Sequence, residues 1–397
     1  MKITRNKLMY LCFISFAMIG FVFSMRTNIF SSIQHDYLGG YGHIATLILI
    51  SGIIMQISTL GTGYVVKKWS HKFILSIGLA LYSISALAMI FVHSILGFDI
   101  LFCFYMFAYG SCTLAGNLYI GVLKPEERGK TLMKLHLGFS LGALAGPKII
   151  SGLLDKGINW QLIFGLSSIP TLIISFILIF VKEAEVKKNS QVEEKVDIVQ
   201  ETTYSWRNLI VWLFVLLFVG GQVWEYGLGT WFIIFARQTQ QISEGQAASY
   251  LTVFLISYPI VRSIFSQILD KVGYERCLLF SFIGNVIFIG LGLYTSQLIF
   301  FGLTGIFTAT MYPTIMAMMQ QRFTGVNVGL IGWISMMGGM IEYVLIWAIG
   351  KLGDIFGITV GFGSLIIYMV MGAVIVLIIQ CIYEKEKICY SQIEMKN

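Results

Sequence analysis

The sequence predicts an all-α membrane protein, with twelve transmembrane helices in two six-helix bundles. Three observations predict it. Only 12% of the 397 residues are charged, against 57% hydrophobic, and mean hydropathy is +0.80. A soluble domain carries roughly 25% charged residues. The apolar runs are about 20 residues long, enough for a hydrocarbon core of about 30 Å. The longest polar run, Lys182 to Arg207, holds five basic and six acidic residues and leaves 181 residues before it and 190 after it. Dense mixed charge with little hydrophobicity reads as a solvated linker. The expected division is 1–181, a linker at 182–206, and 207–397.

Each span is expected to be helical, because lipid offers unpaired backbone groups no partner. In the first half the spans are read at about 8–29, 43–66, 73–92, 100–122, 136–155 and 160–181. In the second they are read at about 208–236, 247–269, 277–295, 298–320, 329–350 and 357–383. The N-terminal run shows no small-residue cleavage site and is read as a retained first span. With both termini placed inside, 21 Lys and Arg fall in inner segments and three (Lys156, Arg237 and Lys351) in outer loops. That asymmetry sets the orientation with termini and linker cytoplasmic, in the cell membrane. It also accounts for the net charge of +7 without a nucleic-acid partner. The six cysteines are scattered, without a CxxC, and read as packing residues.

The halves echo one another. GYVVKKWSHK (Gly63 to Lys72) follows the second span of the first half, and SQILDKVGYER (Ser266 to Arg276) follows the second span of the other. Weak repeats of this kind build many secondary transporters, whose sites lie near mid-membrane. These two loops resemble the signature of the major facilitator superfamily, G-x-x-x-D-R/K-x-G-R/K-R/K. Asp270, Lys271, Gly273 and Arg276 match it, with Ser266 in place of the first glycine. In the first copy Gly63 and the basic residues remain, while Lys67 stands in the acidic position and Ser70 in that of the second glycine. Arg128 in KPEERGK fits the family's loop after its fourth helix. The resemblance implies twelve helices, alternating access and cytoplasmic gate loops at Gly63, Lys67, Asp270, Lys271, Gly273 and Arg276.

HLGFSLGALAGP (His136 to Pro147) and the run from Gly220 through Trp231 to Arg262 are similar to the fucose–galactose–proton symporter branch. Sugar symporters of that branch use acidic residues in helices 1 and 4. Here the first span has Arg26, and the fourth, read from residue 100, has no carboxylate. Gly142-x-x-x-Gly146-Pro147 resembles part of an antiporter motif of drug exporters, although GxxxG packing between membrane helices is common.

Ionisable residues within membrane spans are costly and are functional candidates. Lys148 and Glu342 fall about 12 and 13 residues into their spans, near the midplane at 1.5 Å per residue. Glu225 lies in GGQVWEYGLGTW, whose glycines and tryptophans suggest a bent or broken helix. Arg262 and Arg26 complete the set, with a gate contact or snorkelling as rival readings. His136 reads as interfacial, and Asn117 and Tyr312 as polar liners. Three cations against two carboxylates leave surplus positive charge. A small organic anion or zwitterion would relieve it, with Glu225 or Glu342 as a proton-coupling acid.

No phosphate loop, HExxH or GxSxG is present, so neither an enzyme nor a cofactor is indicated. KPEERGKT lacks the first loop glycine. The expected partners are a small-molecule solute, a proton and the lipid bilayer, with the chain acting as a monomer. A drug or metabolite exporter, a flippase for lipid-linked substrates, and a non-transporting sensor or scaffold are the alternatives.

Overall fold

A computed structural model describes residues 2–26, 41–154, 156–183 and 204–394. Most of the expected linker lies outside these residues. Among the described residues, twelve helices are long and apolar enough to cross a membrane. They are α1 Arg5–Ser24, α2 Tyr41–Val65, α3 His71–Phe91, α4 Ile95–Leu123, α5 Arg128–Leu154 and α6 Trp160–Phe180. The second set is α7 Leu209–Gln240, α8 Glu244–Val272, α9 Tyr274–Thr295, α10 Ile299–Arg322, α11 Val328–Phe356 and α12 Ile358–Glu386. The described β-structure is one parallel pairing of Lys2–Ile3 with Lys182–Glu183. Those two linker residues are therefore ordered against the N-terminus.

The fourth span corrects the sequence reading. Ser94 caps α4 by accepting the Gly97 N–H at 3.2 Å, so the helix starts at Ile95. Asp99 thus lies inside the fourth helix, which does carry a carboxylate. Its carboxylate lies 3.0 Å from the His43 Nε2.

The seventh span is a second correction. No break occurs in α7, which is helical for 32 residues. Its tryptophans tie it to neighbours instead: Trp224 Nε1 donates to Thr304 Oγ1 at 2.9 Å, and Trp231 Nε1 to the Ile346 carbonyl at 3.0 Å. Gly221 and Gly227 make room for Ile315 and Leu365. Short interruptions of the helical ladder occur at Ser168 in α6, Ser364 in α12, and Thr304 and Ala309–Thr310 in α10, with the backbone still in the right-handed helical region at Ser168, Thr304, Ala309 and Ser364.

The chain forms two compact units. The first comprises residues 1–126, 135–206 and 320–333, and the second 127–134, 207–319 and 334–397. Segment 127–134 falls in the second unit and segment 320–333 in the first.

In the first unit, α5 lies backbone-to-backbone on α1. Gly138, Gly142 and Gly146 recur every four residues and so form one stripe of α5. They face the carbonyls of Phe13, Ala17 and Phe21, which recur at the same interval on α1. A Cβ on Gly142 would overlap the Ala17 oxygen, and one on Gly146 the Phe21 oxygen. The GxxxG of the fifth span is therefore a packing seam, where small residues let helices approach without a hydrophobic drive. Asn117, His136 and Gln320 form a buried polar knot nearby. The His136 Nε2 and Asn117 Oδ1 lie 2.9 Å apart, and Gln320 Nε2 donates to the Asn117 carbonyl at 2.9 Å.

In the second unit, Gly302 and Gly305 seat α10 against the carbonyls of Tyr250 and Phe254 on α8. Met133, Leu269 and Cys277 form a small buried cluster at the other end of α8, flanked by Phe265 and Tyr274.

Candidate functional site

The signature loops differ in how they begin the next helix. Gly273 precedes α9 with φ at +91°, a conformation that suits glycine. Ser70 instead caps α3, its hydroxyl accepting the Phe73 N–H at 3.2 Å. Serine in the glycine position is thus a different solution to the same start, the preferred side-chain cap.

Asp270 does electrostatic work in the second unit. Its two oxygens each accept a backbone N–H, from Gly129 and Lys130, at 2.9 Å. Tyr274 adds a hydroxyl donor at 3.0 Å. A carboxylate on the first N–H groups of α5 satisfies orphan donors and meets the positive end of the helix dipole. Gly129 allows the approach, since a Cβ there would crowd the carboxylate. In the first unit the corresponding group is Lys67, whose ammonium lies about where a Gly329 side chain would go, in the first turn of α11. The repeats therefore place opposite charges at equivalent helix starts. Asp270→Ala is expected to lower stability by about 1–2 kcal/mol, read as a fall in thermal melting of the purified protein. Lys271 and Arg276 are exposed members of the same loop and helix start.

Glu225, Arg262 and Glu342 come together in the second unit. Arg262 is buried, 5% exposed, which excludes snorkelling. Its Nε donates to the Ala309 carbonyl at 2.8 Å, and its guanidinium carbon lies 4.5 Å from the centre of the Tyr258 ring. Tyr258 and Arg262 are four residues apart, hence neighbours on one face of α8. Glu225 lies within electrostatic reach of both. The Tyr258 hydroxyl faces Glu225 yet falls short of a well-formed hydrogen bond. One turn before Glu225, the buried Gln222 Oε1 has no hydrogen-bond partner among the described residues.

Glu342, on α11, is 5% exposed and within electrostatic reach of Glu225. Among the described residues it makes no hydrogen bond or ion pair. Glu225 thus lies between a cation, Arg262, and a second carboxylate, Glu342. Tyr312 is half-buried on α10 and stands edge-on to Phe218, with ring centres 5.8 Å apart.

The other two charged candidates belong to the first unit. Arg26 lies flat on Phe23, 3.6 Å from its centre, and Phe23 stacks on Tyr109 at 4.0 Å and 8°. The next ring is Tyr82, whose hydroxyl meets that of Tyr105 at 2.6 Å. Among the described residues Arg26 meets no carboxylate and no hydrogen-bond acceptor. A guanidinium over a ring face is attracted by the negative face of the ring quadrupole. Lys148 is exposed on α5 and likewise has no partner among the described residues. It follows Gly146 by two residues, about 200° around the helix, so it points away from the α1 seam. Asn117 differs from these groups. It is fully buried, and its side chain bonds His136 and the Thr113 carbonyl.

Sequence reasoning passed over three contributors. Pro313 carries a signal, since a proline inside a span removes one backbone donor. Asp99 was placed outside the fourth helix. The Phe23–Tyr109 support for Arg26 joins different helices and leaves no local pattern. A groove of about 540 Å³ also opens in the first unit between α2, α3 and α4, lined by residues such as Ile50, Ile54, Leu81, Ile100 and Phe107. Apart from Thr46 and the paired His43 and Asp99 its walls are mostly apolar, so it suits hydrocarbon better than a polar solute.

The comparisons with known proteins agree with this architecture. In solved structures, the chain resembles the Escherichia coli fucose:proton symporter at a TM-score of 0.75 and 16% identity, covering 94% of this chain and 98% of that one. A proton:xylose symporter gives 0.75 and 15%, covering 94% of each chain. A Helicobacter pylori protein named "Putative glucose/galactose transporter" is 22% identical over 249 residues, which are 57% of this chain and 60% of that protein. The model of the Major Facilitator Superfamily matches residues 11–243, more than half of the chain. This multi-pass membrane protein is therefore a member of the Major Facilitator Superfamily.

Proposed function

We propose that this chain moves a small polar organic anion or zwitterion across the membrane by alternating access, with a proton as the coupling ion. Arg26 carries the reading. A half-buried guanidinium held flat on an aromatic stack, with no acid among the described residues, is a pre-oriented receptor for a carboxylate or phosphate. The exposed Lys148 supports the same sign of charge. The names of the similar proteins suggest a hydroxylated solute, so acidic sugars belong in the first test panel beside neutral ones. The 21-to-three distribution of basic residues supports cytoplasmic termini and a cell-membrane location, with the chain acting as a monomer.

The test is uptake into proteoliposomes of neutral sugars, sugar acids and amino acids under an imposed proton gradient. An anionic or zwitterionic solute is expected to be taken up. Arg26→Ala should then raise its half-saturation concentration by about 10- to 100-fold, the value of one charge-assisted contact. Arg26→Lys should recover only part of that, because a point charge does not reproduce the planar fork. Uptake of a neutral sugar unaffected by either variant would refute the anion assignment. Translocation of a headgroup-labelled lipid without solute uptake would favour the flippase alternative.

A further inference from the structure

The tenth span contains a backbone defect that its own residues leave unmended. In a regular helix the Ala309 carbonyl would accept the N–H of residue 313. Residue 313 is proline, which has no N–H. The backbone stays helical at Ala309, and the flanking bonds Ala309 N–H to Gly305 O and Thr314 N–H to Thr310 O are kept at 3.1 Å, so one bond is missing from the ladder. Ala309 is fully buried, so its carbonyl needs a protein donor. Arg262 Nε supplies it, at 2.8 Å.

We infer that Arg262 is the pin that holds the Ala309 turn of α10, which lacks one backbone bond, to α8, and that it ties the turn to the charge on Glu225. The guanidinium is a rigid plane with five donors. Its Nε is committed to Ala309 while the same plane lies over Tyr258 and within reach of Glu225. Because the fork is rigid, turning its outer nitrogens toward or away from Glu225 also moves Nε. Neutralising Glu225, with a proton or by substitution, removes one of the interactions that fix the plane and loosens the hold on Ala309.

The rest of the seam shows why one side chain can matter here. Before the turn, α10 is clamped to α8 by backbone contact, with Gly302 against Tyr250 and Gly305 against Phe254. At the turn that glycine clamp gives way to a side-chain hydrogen bond across the same pair of helices. A hinge at Ala309–Thr310 is the expected consequence: a fixed first segment, a second segment held by Arg262, and a nearby acid that sets how firmly. Arg262 is thereby a positioning residue. The inference stands on the proline, the turn and the hydrogen bond, and is independent of what the chain transports.

A double-mutant cycle between Arg262 and Pro313 tests it. Pro313→Ala restores the backbone N–H that Ala309 lacks, so it should remove part of the need for Arg262. Thermal melting of the purified full chain in lipid nanodiscs is the readout. Arg262→Gln is expected to lower the melting temperature by roughly 5 °C, and by at least about 2 °C less when Pro313→Ala is already present. If Arg262→Gln yields no folded protein, Arg262→Lys carries the cycle, since it keeps the positive charge but loses the guanidinium Nε. Glu225→Gln should also shift melting less in the Pro313→Ala background than in the parent. Additive shifts for the Arg262 and Pro313 pair would overturn the assignment of Arg262 as the pin. Additivity only between Glu225 and Pro313 would overturn the link to the acid. Because the readout is stability, neither result depends on the solute being an anion.

Discussion

Glu342→Gln is expected to abolish accumulation of solute against its gradient, lowering proton-driven uptake at least tenfold, while leaving solute-for-solute exchange within about twofold of the parent. The reason is charge balance in the second unit. Glu225 and Glu342 are within electrostatic reach of each other, and Arg262 is the cation near Glu225. An isolated carboxylate taken out of water costs several kcal/mol unless it is paired or neutralised. Glu342 has no ion pair or hydrogen bond among the described residues, so a proton is the simplest way to remove its charge. Glutamine imitates the neutral acid and cannot release the proton. Uptake under a pH gradient and counterflow without one, in the same proteoliposomes, separate the two steps. Full accumulation by Glu342→Gln would exclude Glu342 as the coupling acid and turn attention to Glu225.

The second large effect concerns folding. Gly142→Val is expected to leave little folded protein, with a destabilisation above about 3 kcal/mol. Even one methyl group at this position would overlap the Ala17 carbonyl oxygen, and backbone cannot turn aside as a side chain can. A branched side chain must push α1 and α5 apart along the stripe that also includes Gly138 and Gly146. The seam would lose close contacts that a bilayer does not replace by hydrophobic drive. Gly152→Ala is the control. It lies on the same helix with nothing within 4 Å of its would-be Cβ, and should melt within about 1 °C of the parent. Size-exclusion profiles and melting curves of the two variants give the comparison. A normally folded Gly142→Val protein would mean that the two helices do not meet as described.

The candidate charges were legible because each is rare in its surroundings. Lysine, arginine and glutamate within apolar runs stand out, and Lys148, Glu225, Arg262, Arg26 and Glu342 were all visible on that ground. Their partners were not. Arg262 and Ala309 are 47 residues apart, and Phe23 and Tyr109 belong to different helices. Glycine misled in one place and informed in another. The glycines of the seventh span suggested a break, but they admit side chains from neighbouring helices. Those of the fifth span suggested close packing, and they face a row of carbonyls. Glycine permits both bending and close approach, and only the neighbouring element shows which is used. A missing backbone hydrogen bond lies in the tenth span, at Pro313, which has no N–H.

By itself the sequence determined that this chain is nearly all helical and crosses a membrane many times. Segment length, hydropathy and the absence of backbone partners in lipid are local properties, and they act on each span separately. The tertiary structure alone decided how the buried charges are distributed. It gave Arg262 a carbonyl and an acid, left Arg26 on its aromatic stack and Glu342 without a partner among the described residues, and brought Asp99 to His43. The physical reason is distance. Electrostatic and hydrogen-bond energies depend on separations of a few ångströms in space, and residues dozens of positions apart reach those separations only once the helices have packed.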